Sequence, residues 1–214
     1  MSERGWRWPV RPRTVLPSGQ VLTLRALERG DRTAWEELRR RNRAWLAPWE
    51  ASAPGEPAPP TTFTRLRRGL DRAARDALAL PFVIDVDGTL VGQMQLFDVL
   101  WGSRASGWAG YWLDEGSTGR GYATWALATL VDHALLSAGL HRVDVGIRPE
   151  NAASLAVVAR LGLPEEGVRR GLMHVAGGWR DHRCFAVLSE DLGPGGFAPG
   201  GLVAQLRRHG VGGP

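Results

Sequence analysis

Apolar and polar positions alternate along several stretches of the chain, and together with the turn dipeptides between them they predict seven β-strands. The predicted strands are residues 21–28, 81–86, 89–100, 108–115, 143–147, 167–176 and 179–189. Asp87-Gly88 and Gly177-Gly178 each lie between two of these strands, and both dipeptides suit the tight turn of a β-hairpin. The pattern therefore predicts two hairpins, one in each half of the chain.

Apolar residues spaced three and four apart predict helices between the strands. The predicted helices cover residues 31–43, a segment capped by Thr61 or Thr62, residues 122–138, residues 151–162 and a short stretch at 202–208. Asp31 and Asn151 are typical N-cap residues, and Gly139 and Gly162 end their helices. Residues 45–62 hold five prolines and two tryptophans and predict a long loop, which in a compact domain is usually functional.

The order of these elements predicts an α/β fold of the α+β, mixed-sheet kind, with helices on both faces of the sheet. A chain of 214 residues suits one domain with a sizeable core. We divide it into an N-terminal extension of residues 1–20, a domain of residues 21–190 and a Gly- and Pro-rich tail of residues 191–214. We expect the tail to be loosely held.

Composition narrows the classes of function. No apolar run approaches the roughly 18 residues of a membrane span, and the N-terminus has no apolar signal core, so we expect a cytoplasmic protein without membrane contact. The single cysteine, Cys184, can form neither an internal disulfide nor a Cys-based zinc site with a second thiol. We expect it to fill apolar space, and we expect no metal.

The formal net charge of +5 arises from 27 basic residues, all of them arginine, against 22 acidic ones. Clustered cations can indicate nucleic-acid binding, because they release counterions from phosphates. Here the arginines of residues 39–43 and 65–75 are countered by nearby or interleaved acidic residues, as on a solvated helix face. The distribution predicts no nucleic-acid partner.

The candidate chemistry lies where the strand at 108–115 gives way to Gly119-Arg120-Gly121 and a helix. Glycines let backbone N–H groups approach an anion, and a helix N-terminus favours phosphate. No Gly-Lys-Ser/Thr follows, and Thr124 occupies the last position of a G-x-G-x-x-G pattern, so neither a P-loop nor a dinucleotide fingerprint is present. The segment therefore predicts a site for a different phosphate-bearing cofactor.

Seven short segments of the chain together resemble one known protein family. They are VLTLR (21–25), RAWLAPWE (43–50), YWLD (111–114), GRGYAT (119–124), RPENAAS (148–154), LGLPEEG (161–167) and WRDH (179–182). The segments at 111–114 and 119–124 resemble the acyl-CoA pyrophosphate loop of the GNAT acetyltransferase superfamily. The others are similar to its branch of ribosomal-protein-alanine N-acetyltransferases (RimJ/RimL-like), and the likeness covers roughly residues 21–190.

The resemblance implies a central, mostly antiparallel GNAT sheet with a splayed strand pair, and acetyl-CoA as co-substrate. The backbone of the glycine loop would hold the CoA pyrophosphate, and the splayed strand would hydrogen-bond the pantetheine arm. The cofactor-binding residues it implies are Trp112, Leu113, Gly119, Arg120, Gly121, Tyr122, Ala123, Thr124 and Asn151.

The resemblance also implies catalytic residues. Ser154 lies one helical turn after Asn151, where the family places a hydroxyl that protonates the leaving thiolate. The glutamate that some relatives use as a base corresponds to Met173 here, so the base stays open between Asp144, a polar break in an apolar strand, and His174. Asn151 and Ser154 equally suit an N-cap and a first-turn helix position.

Trp45 and Trp49 in the Pro-rich loop suit either a substrate wall or simple packing. The resemblance implies transfer of an acetyl group from acetyl-CoA to a primary amine by direct attack in a ternary complex, with a protein or peptide N-terminal α-amine as acceptor. A polyamine or antibiotic acetyltransferase and a non-catalytic acyl-CoA sensor are the alternatives. The expected partners are acetyl-CoA and the amine acceptor, bound by a monomer or a homodimer.

Overall fold

The structure is a computed structural model that describes residues 6–55 and 61–210. Residues 1–5, 56–60 and 211–214 belong to the predicted extension, long loop and tail. Those parts of the three predictions lie outside the described residues.

Within residues 6–55 and 61–210, eight strands form one sheet. They are β1 (Arg13–Val15), β2 (Val21–Ala26), β3 (Leu80–Val86), β4 (Thr89–Leu100), β5 (Ser106–Leu113), β6 (Arg142–Ile147), β7 (Glu165–Val175) and β8 (Gly178–Leu188). Their order across the sheet is β1-β2-β3-β4-β5-β6-β8-β7. The β5–β6 pair is parallel, and the other neighbours are antiparallel. The predicted mixed, mostly antiparallel sheet is therefore confirmed, with β1 added inside the predicted extension.

Six α-helices among the described residues cover the sheet. They are α1 (Arg32–Arg41), α2 (Arg43–Leu46), α3 (Phe63–Arg75), α4 (Tyr122–Asp132), α5 (Ala152–Arg160) and α6 (Leu202–Arg208). Trp35 of α1 and Phe63 of α3 pack on Val83 at one face, while α4, α5 and α6 pack on the other. Helices on both faces were predicted. In the part of the chain that the structure describes, no helix combines the length and apolar character that crossing a bilayer demands.

The helix α4 lies inside the core rather than on its surface. Its residues 122 and 124–131 are all buried, because the sheet lies on one side and α6 on the other. The sequence predicted one apolar stripe along this helix, whereas residues on all of its sides are buried. A π-helical turn, His133–Ser137, continues it towards Gly139.

The two predicted hairpins form, but one turn is displaced by a residue. Asp87 and Gly88 have φ values of 50° and 83°, as the tight turn between β3 and β4 requires. In the second hairpin Val175 pairs with Gly178, so the turn residues are Ala176 and Gly177 rather than Gly177 and Gly178.

The long predicted loop is partly ordered secondary structure. It begins within α2, continues as a 3₁₀ turn at Ala47–Trp49, and then runs beside β7. Ala51 forms an isolated bridge with Val175, and the Ser52 N–H donates to the carbonyl of His174 at 2.9 Å. The loop therefore closes over one end of the sheet.

At that end the parallel strands β5 and β6 separate. Their pairing stops at Ala109 and Val145, whereas β5 continues beside β4 to Leu113 and β6 continues beside β8 to Ile147. Residues 110–113 therefore present a backbone edge without a strand partner in β6. This is the splayed pair that the resemblance implied.

The C-terminal segment is anchored, in contrast to the loosely held tail that we expected. Leu202 and Leu206 of α6 are fully buried. The Asp132 carboxylate at the end of α4 accepts from the N–H groups of Leu202 (2.7 Å) and Val203 (3.0 Å), and so satisfies the first turn of α6. The short helix at 202–208 was predicted from the sequence, whereas its docking was not, because the surrounding glycine and proline content suggested a loose tail.

Candidate active site

The glycine loop lies directly before α4. Gly119 and Gly121 have φ values of 75° and 78°, a region that residues with a Cβ rarely adopt. Gly121 is the N-cap of α4, so the N–H groups of the first turn point out of the helix towards the loop. The arrangement suits an anion, as predicted from the sequence.

A buried carboxylate fixes the start of this loop. Asp114 accepts hydrogen bonds from Arg41 Nε (2.9 Å) and Asn42 Nδ2 (2.7 Å), while the Glu115 N–H donates to Asn42 Oδ1 at 2.9 Å. Burial opposes ionisation of Asp114, but the bonds from Arg41 and Asn42 lower its pKa overall. The ionised carboxylate therefore ties the loop to the end of α1.

A cavity of about 410 Å³ adjoins the loop, and we call it the glycine-loop cavity. It is lined by the loop itself, the first turn of α4, the end of β5, and α5. The Thr124 hydroxyl is buried in its wall without a hydrogen-bond partner. A buried hydroxyl without a partner costs free energy, and a phosphate or amide of a bound ligand would supply the missing acceptor or donor.

A second cavity, of about 300 Å³, lies on the other side of the splayed strands, and we call it the arginine cavity. Among the described residues, its charged lining groups are Arg39, Glu50 and Arg148. Arg39 pairs with Glu50, and Arg148 lies 5.2 Å over the ring of Trp49. Arg148 also pairs with Glu150 at 3.2 Å, so each of the two arginines has a carboxylate partner.

The two cavities meet between the splayed strands. The residues that line both are Leu46, Trp49, Tyr111, Trp112, Asn151 and Ser154. Asn151 is the N-cap of α5, and its Oδ1 accepts from the Ser154 N–H at 3.0 Å. Asn151 therefore caps α5 and also lines the junction. The capped first turn of α5 places Ser154 at the junction as well.

Tyr111 is a junction residue that the sequence analysis did not select. Its hydroxyl is buried beside Ser154 and has no hydrogen-bond partner within normal distance. Burial raises the pKa of Tyr111 to about 12, and Ser154 only partly opposes this. The phenol is therefore protonated at neutral pH and can donate a hydrogen bond to a bound molecule.

The structure does not bring the two predicted bases to the junction. Asp144 is buried beneath Arg142, which donates to it from Nε at 2.8 Å, and it lines neither cavity. His174 points away from the arginine cavity, which Met173 and Val175 line instead, and its Nδ1 lies 2.9 Å from Ser52 Oγ. Neither residue lines the junction.

His182 is the ionisable side chain that the sequence analysis passed over, although it ends the WRDH segment. It lines the arginine cavity and is 4% exposed. Burial lowers its pKa from the usual imidazole value. The neighbouring Asp181 instead accepts from the Gly171 N–H at 2.8 Å and serves the β7–β8 hairpin.

The remaining predicted residues divide between the two cavities. Trp49 lies at the junction, whereas Trp45 lines the glycine-loop cavity and not the arginine cavity. Leu113 lines the glycine-loop cavity. Trp112 lies under Arg39, and its Nε1 donates to Gln93 at 3.1 Å. Tyr122 and Ala123 line the glycine-loop cavity beside Thr124, whereas Arg120 is exposed outside the lining.

Comparison with known proteins gives a consistent result. A family model described as an acetyltransferase (GNAT) domain matches residues 21–164. The structure of Mycobacterium smegmatis RimJ in complex with CoA-disulfide is 36% identical in sequence and has a TM-score of 0.84, covering 95% of this chain and 96% of that chain.

Two ribosomal-protein acetyltransferases are similar over most of the chain. The ribosomal protein uS5-alanine N-acetyltransferase of Escherichia coli (strain K12) is 26% identical over 86% of this chain and 97% of its own length. The crystal structure of ribosomal-protein-S5-alanine acetyltransferase from Vibrio fischeri is 25% identical, has a TM-score of 0.69, and is matched over 81% of this chain and 96% of that chain.

Proposed function

The chain belongs to the GNAT acetyltransferase family and is an acetyl-CoA-dependent N-acetyltransferase of RimJ/RimL type, and we propose that its acceptor is the N-terminal α-amine of a protein or peptide. The observation that carries the proposal is the meeting of two cavities at Ser154 and Tyr111. One cavity suits a phosphate-bearing thioester, and the other suits an amine carried on a polar chain.

The glycine-loop cavity has the groups that acetyl-CoA needs. The N–H groups around Gly119 and Gly121 suit the pyrophosphate, and the unpaired Thr124 hydroxyl suits a polar group of the ligand. The free backbone edge of residues 110–113 suits the amides of the pantetheine arm, which can pair with it as an added strand does. Acetyl-CoA supplies the acetyl group as a thioester at the junction.

Direct transfer to the amine fits the residues at the junction. Ser154 lines both cavities and can deliver a proton to the departing sulfur, while Asn151 holds the helix turn that positions it. Cys184, a potential nucleophile, lines neither cavity, and burial raises the pKa of its thiol. The arrangement therefore supports a ternary complex without an acyl-enzyme.

Protonation favours an α-amine over a polyamine as the acceptor. An α-amine has a pKa of about 7.7–8.0, against about 10.4 for lysine, and so is far more often neutral near pH 7. Arg148 and the cavity glutamines can also bind the carbonyl groups of an extended peptide.

A competition experiment tests the acceptor. An Ala-initiated peptide, the same peptide with a blocked N-terminus and one internal lysine, and spermidine are mixed with acetyl-CoA, and products are measured by mass spectrometry. We expect acetylation of the free N-terminus alone. Acetylation of only the other two acceptors would overturn the proposal, and acetyl-CoA binding without turnover of any amine would indicate a sensor.

A further inference from the structure

We infer that His182 is the catalytic base, with its Nε2 taking the proton that the acceptor amine loses. The inference rests on the proposed transfer to an amine, and it assigns the one step for which Asp144 and His174 are wrongly placed. It is carried by the position of the imidazole in the arginine cavity and by the hydrogen bond that fixes its tautomer.

The position of His182 follows from the sheet. β8 pairs with β6 only as far as Arg183, so His182 lies just past the end of that pairing, where β5 and β6 have already separated. It stands opposite Arg169 of β7. Its side chain therefore faces the gap between the splayed strands, in the cavity that adjoins Ser154.

A backbone carbonyl sets the tautomer. His182 Nδ1 lies 3.0 Å from the carbonyl oxygen of Arg180, which can only accept a hydrogen bond. Nδ1 therefore carries the proton, and Nε2 keeps its lone pair. Among the described side chains no hydrogen-bond partner occupies Nε2, so it is available to a molecule in the cavity.

The surroundings keep this imidazole neutral. Burial lowers the pKa of His182, and the charge of Arg148 lowers it as well. The hydrogen bond to the Arg180 carbonyl and the charges of Glu150 and Asp181 act in the opposite direction. The net direction is downward from the ordinary value, so His182 is unprotonated at pH 7. A neutral imidazole is the form that can accept a proton.

Arg169 is the other charged group that faces His182, from β7. Its guanidinium lies 5.4 Å over the ring of Trp108. Arg169 does not line the arginine cavity. Glu50, the carboxylate of the cavity, is paired with Arg39, so it is a weaker base candidate than the unpaired Nε2.

The proton balance of the step is complete. The amine nitrogen forms the new bond to the acetyl carbon, and the carbon–sulfur bond breaks. His182 Nε2 receives one N–H proton of the amine, and Ser154 passes a proton to the departing sulfur and regains one from water. The products are the amide and the free thiol, after His182 releases its proton to solvent.

Matched histidine substitutions test the inference. We expect His182→Gln to lower kcat/KM for an Ala-initiated peptide by about 100-fold or more, the usual effect of losing a general base. In the wild-type profile of kcat/KM, protonation of the amine itself produces an acid limb below about pH 8, and His182 should add a second, steeper limb below the ordinary imidazole value of about 6.5. Only the second limb should disappear in the variant. His141→Gln, at an exposed histidine paired with Glu190, is the control and should leave rate and profile unchanged.

Two further kinds of measurement test the inference without measuring enzyme activity. CoA affinity by calorimetry and thermal melting should be near wild type for His182→Gln. In ¹⁵N-labelled wild-type protein, NMR at pH 7 should show His182 protonated at Nδ1 and not at Nε2. The opposite tautomer would overturn the assignment.

The outcomes separate this inference from the proposed function. An active wild type whose rate and pH profile survive His182→Gln, or are lost in His174→Gln instead, overturns the role of His182 and leaves the acceptor proposal intact. A wild type that binds CoA but acetylates no amine overturns the proposed function and this inference together.

Discussion

The two cavities are built in different ways. The glycine-loop cavity is built mainly from two continuous segments, the loop with the start of α4 and the helix α5, and it offers backbone groups and small side chains. The arginine cavity draws on α1, the segment after α2 and five strands, and it offers charged and aromatic side chains. The glycine-loop cavity is thus formed largely by residues close together in the sequence, whereas the residues of the arginine cavity are brought together only by the fold.

This difference predicts which measured property a substitution in each cavity changes. Backbone recognition responds to changes in φ and to added Cβ atoms, and it suits a ligand that never varies. Side-chain recognition responds to charge and can be altered one residue at a time. Changes in the glycine-loop cavity should therefore move CoA affinity, and changes in the arginine cavity should move the amine KM.

The largest expected effect is on the glycine side. Gly121→Val should weaken acetyl-CoA binding by about 10- to 100-fold, because losing one charge-assisted hydrogen bond costs about 1.5–3 kcal/mol. The substitution strains the backbone, since Gly121 has a φ of 78°. Calorimetric titration with CoA measures the effect, and Gly121→Ala serves where the valine variant folds poorly.

Gly139 provides a matched control for that strain. It has the same φ of 78° and lies beyond the far end of α4, with open space around its missing Cβ. Gly139→Val should lose a similar amount of stability and keep its CoA affinity. Equal affinity losses in both variants would show that strain, and not contact with the ligand, explains the effect.

Local and assembled features also differ in what the sequence can reveal. The glycine loop, the Asp87-Gly88 turn and the Asn151 cap depend on neighbours within a few residues, and all were predicted from those neighbours. His174 was selected because it stands beside Met173, the position that matches the family glutamate. Met173 does line the arginine cavity, but neighbouring residues of a strand point to opposite faces, so His174 lies outside it. His182 enters the cavity from β8, a strand that the motif comparison did not connect with the base.

Asp144 shows a related difficulty. A polar residue in an apolar strand suggests function, yet here it is explained by Arg142, which binds Asp144 and Glu166 together. The closure of the arginine cavity was equally hidden, since the Ser52 contact with His174 joins residues 122 positions apart. Both depend on which segments the fold brings together.

An intermediate effect is expected at the junction, because its residues line both cavities. Tyr111→Phe removes a buried hydroxyl that has no partner in the free protein, so the free energy of unfolding should stay equal or rise by up to about 1–3 kcal/mol. If the hydroxyl donates to the bound thioester, kcat should fall by about 10-fold, the equivalent of about 1.4 kcal/mol.

The second tyrosine provides the stability control. The Tyr122 hydroxyl donates to Gln20 Oε1 at 3.0 Å, so Tyr122→Phe should lower the free energy of unfolding by about 0.5–1.5 kcal/mol. Chemical denaturation compares the two variants. A loss of stability in Tyr111→Phe, without loss of kcat, would mean that its hydroxyl has an unrecognised structural partner.

The smallest expected effect concerns charge in the arginine cavity. Glu50→Gln removes the carboxylate that neutralises Arg39, so an incoming ammonium group meets a more positive cavity. Both side chains are partly exposed, which limits the change to about 2- to 5-fold in the amine KM, the range of about 0.4–1 kcal/mol typical of exposed ion pairs. CoA affinity should not change, and added salt should narrow the difference, because it screens charges near the surface.

Glu36→Gln, which breaks an exposed pair with Arg32 on α1, is the matched control and should leave KM unaltered. Steady-state kinetics with an Ala-initiated peptide decide the matter: a KM that rises equally in both variants would show that net charge, and not the charge placed in the cavity, governs capture of the amine.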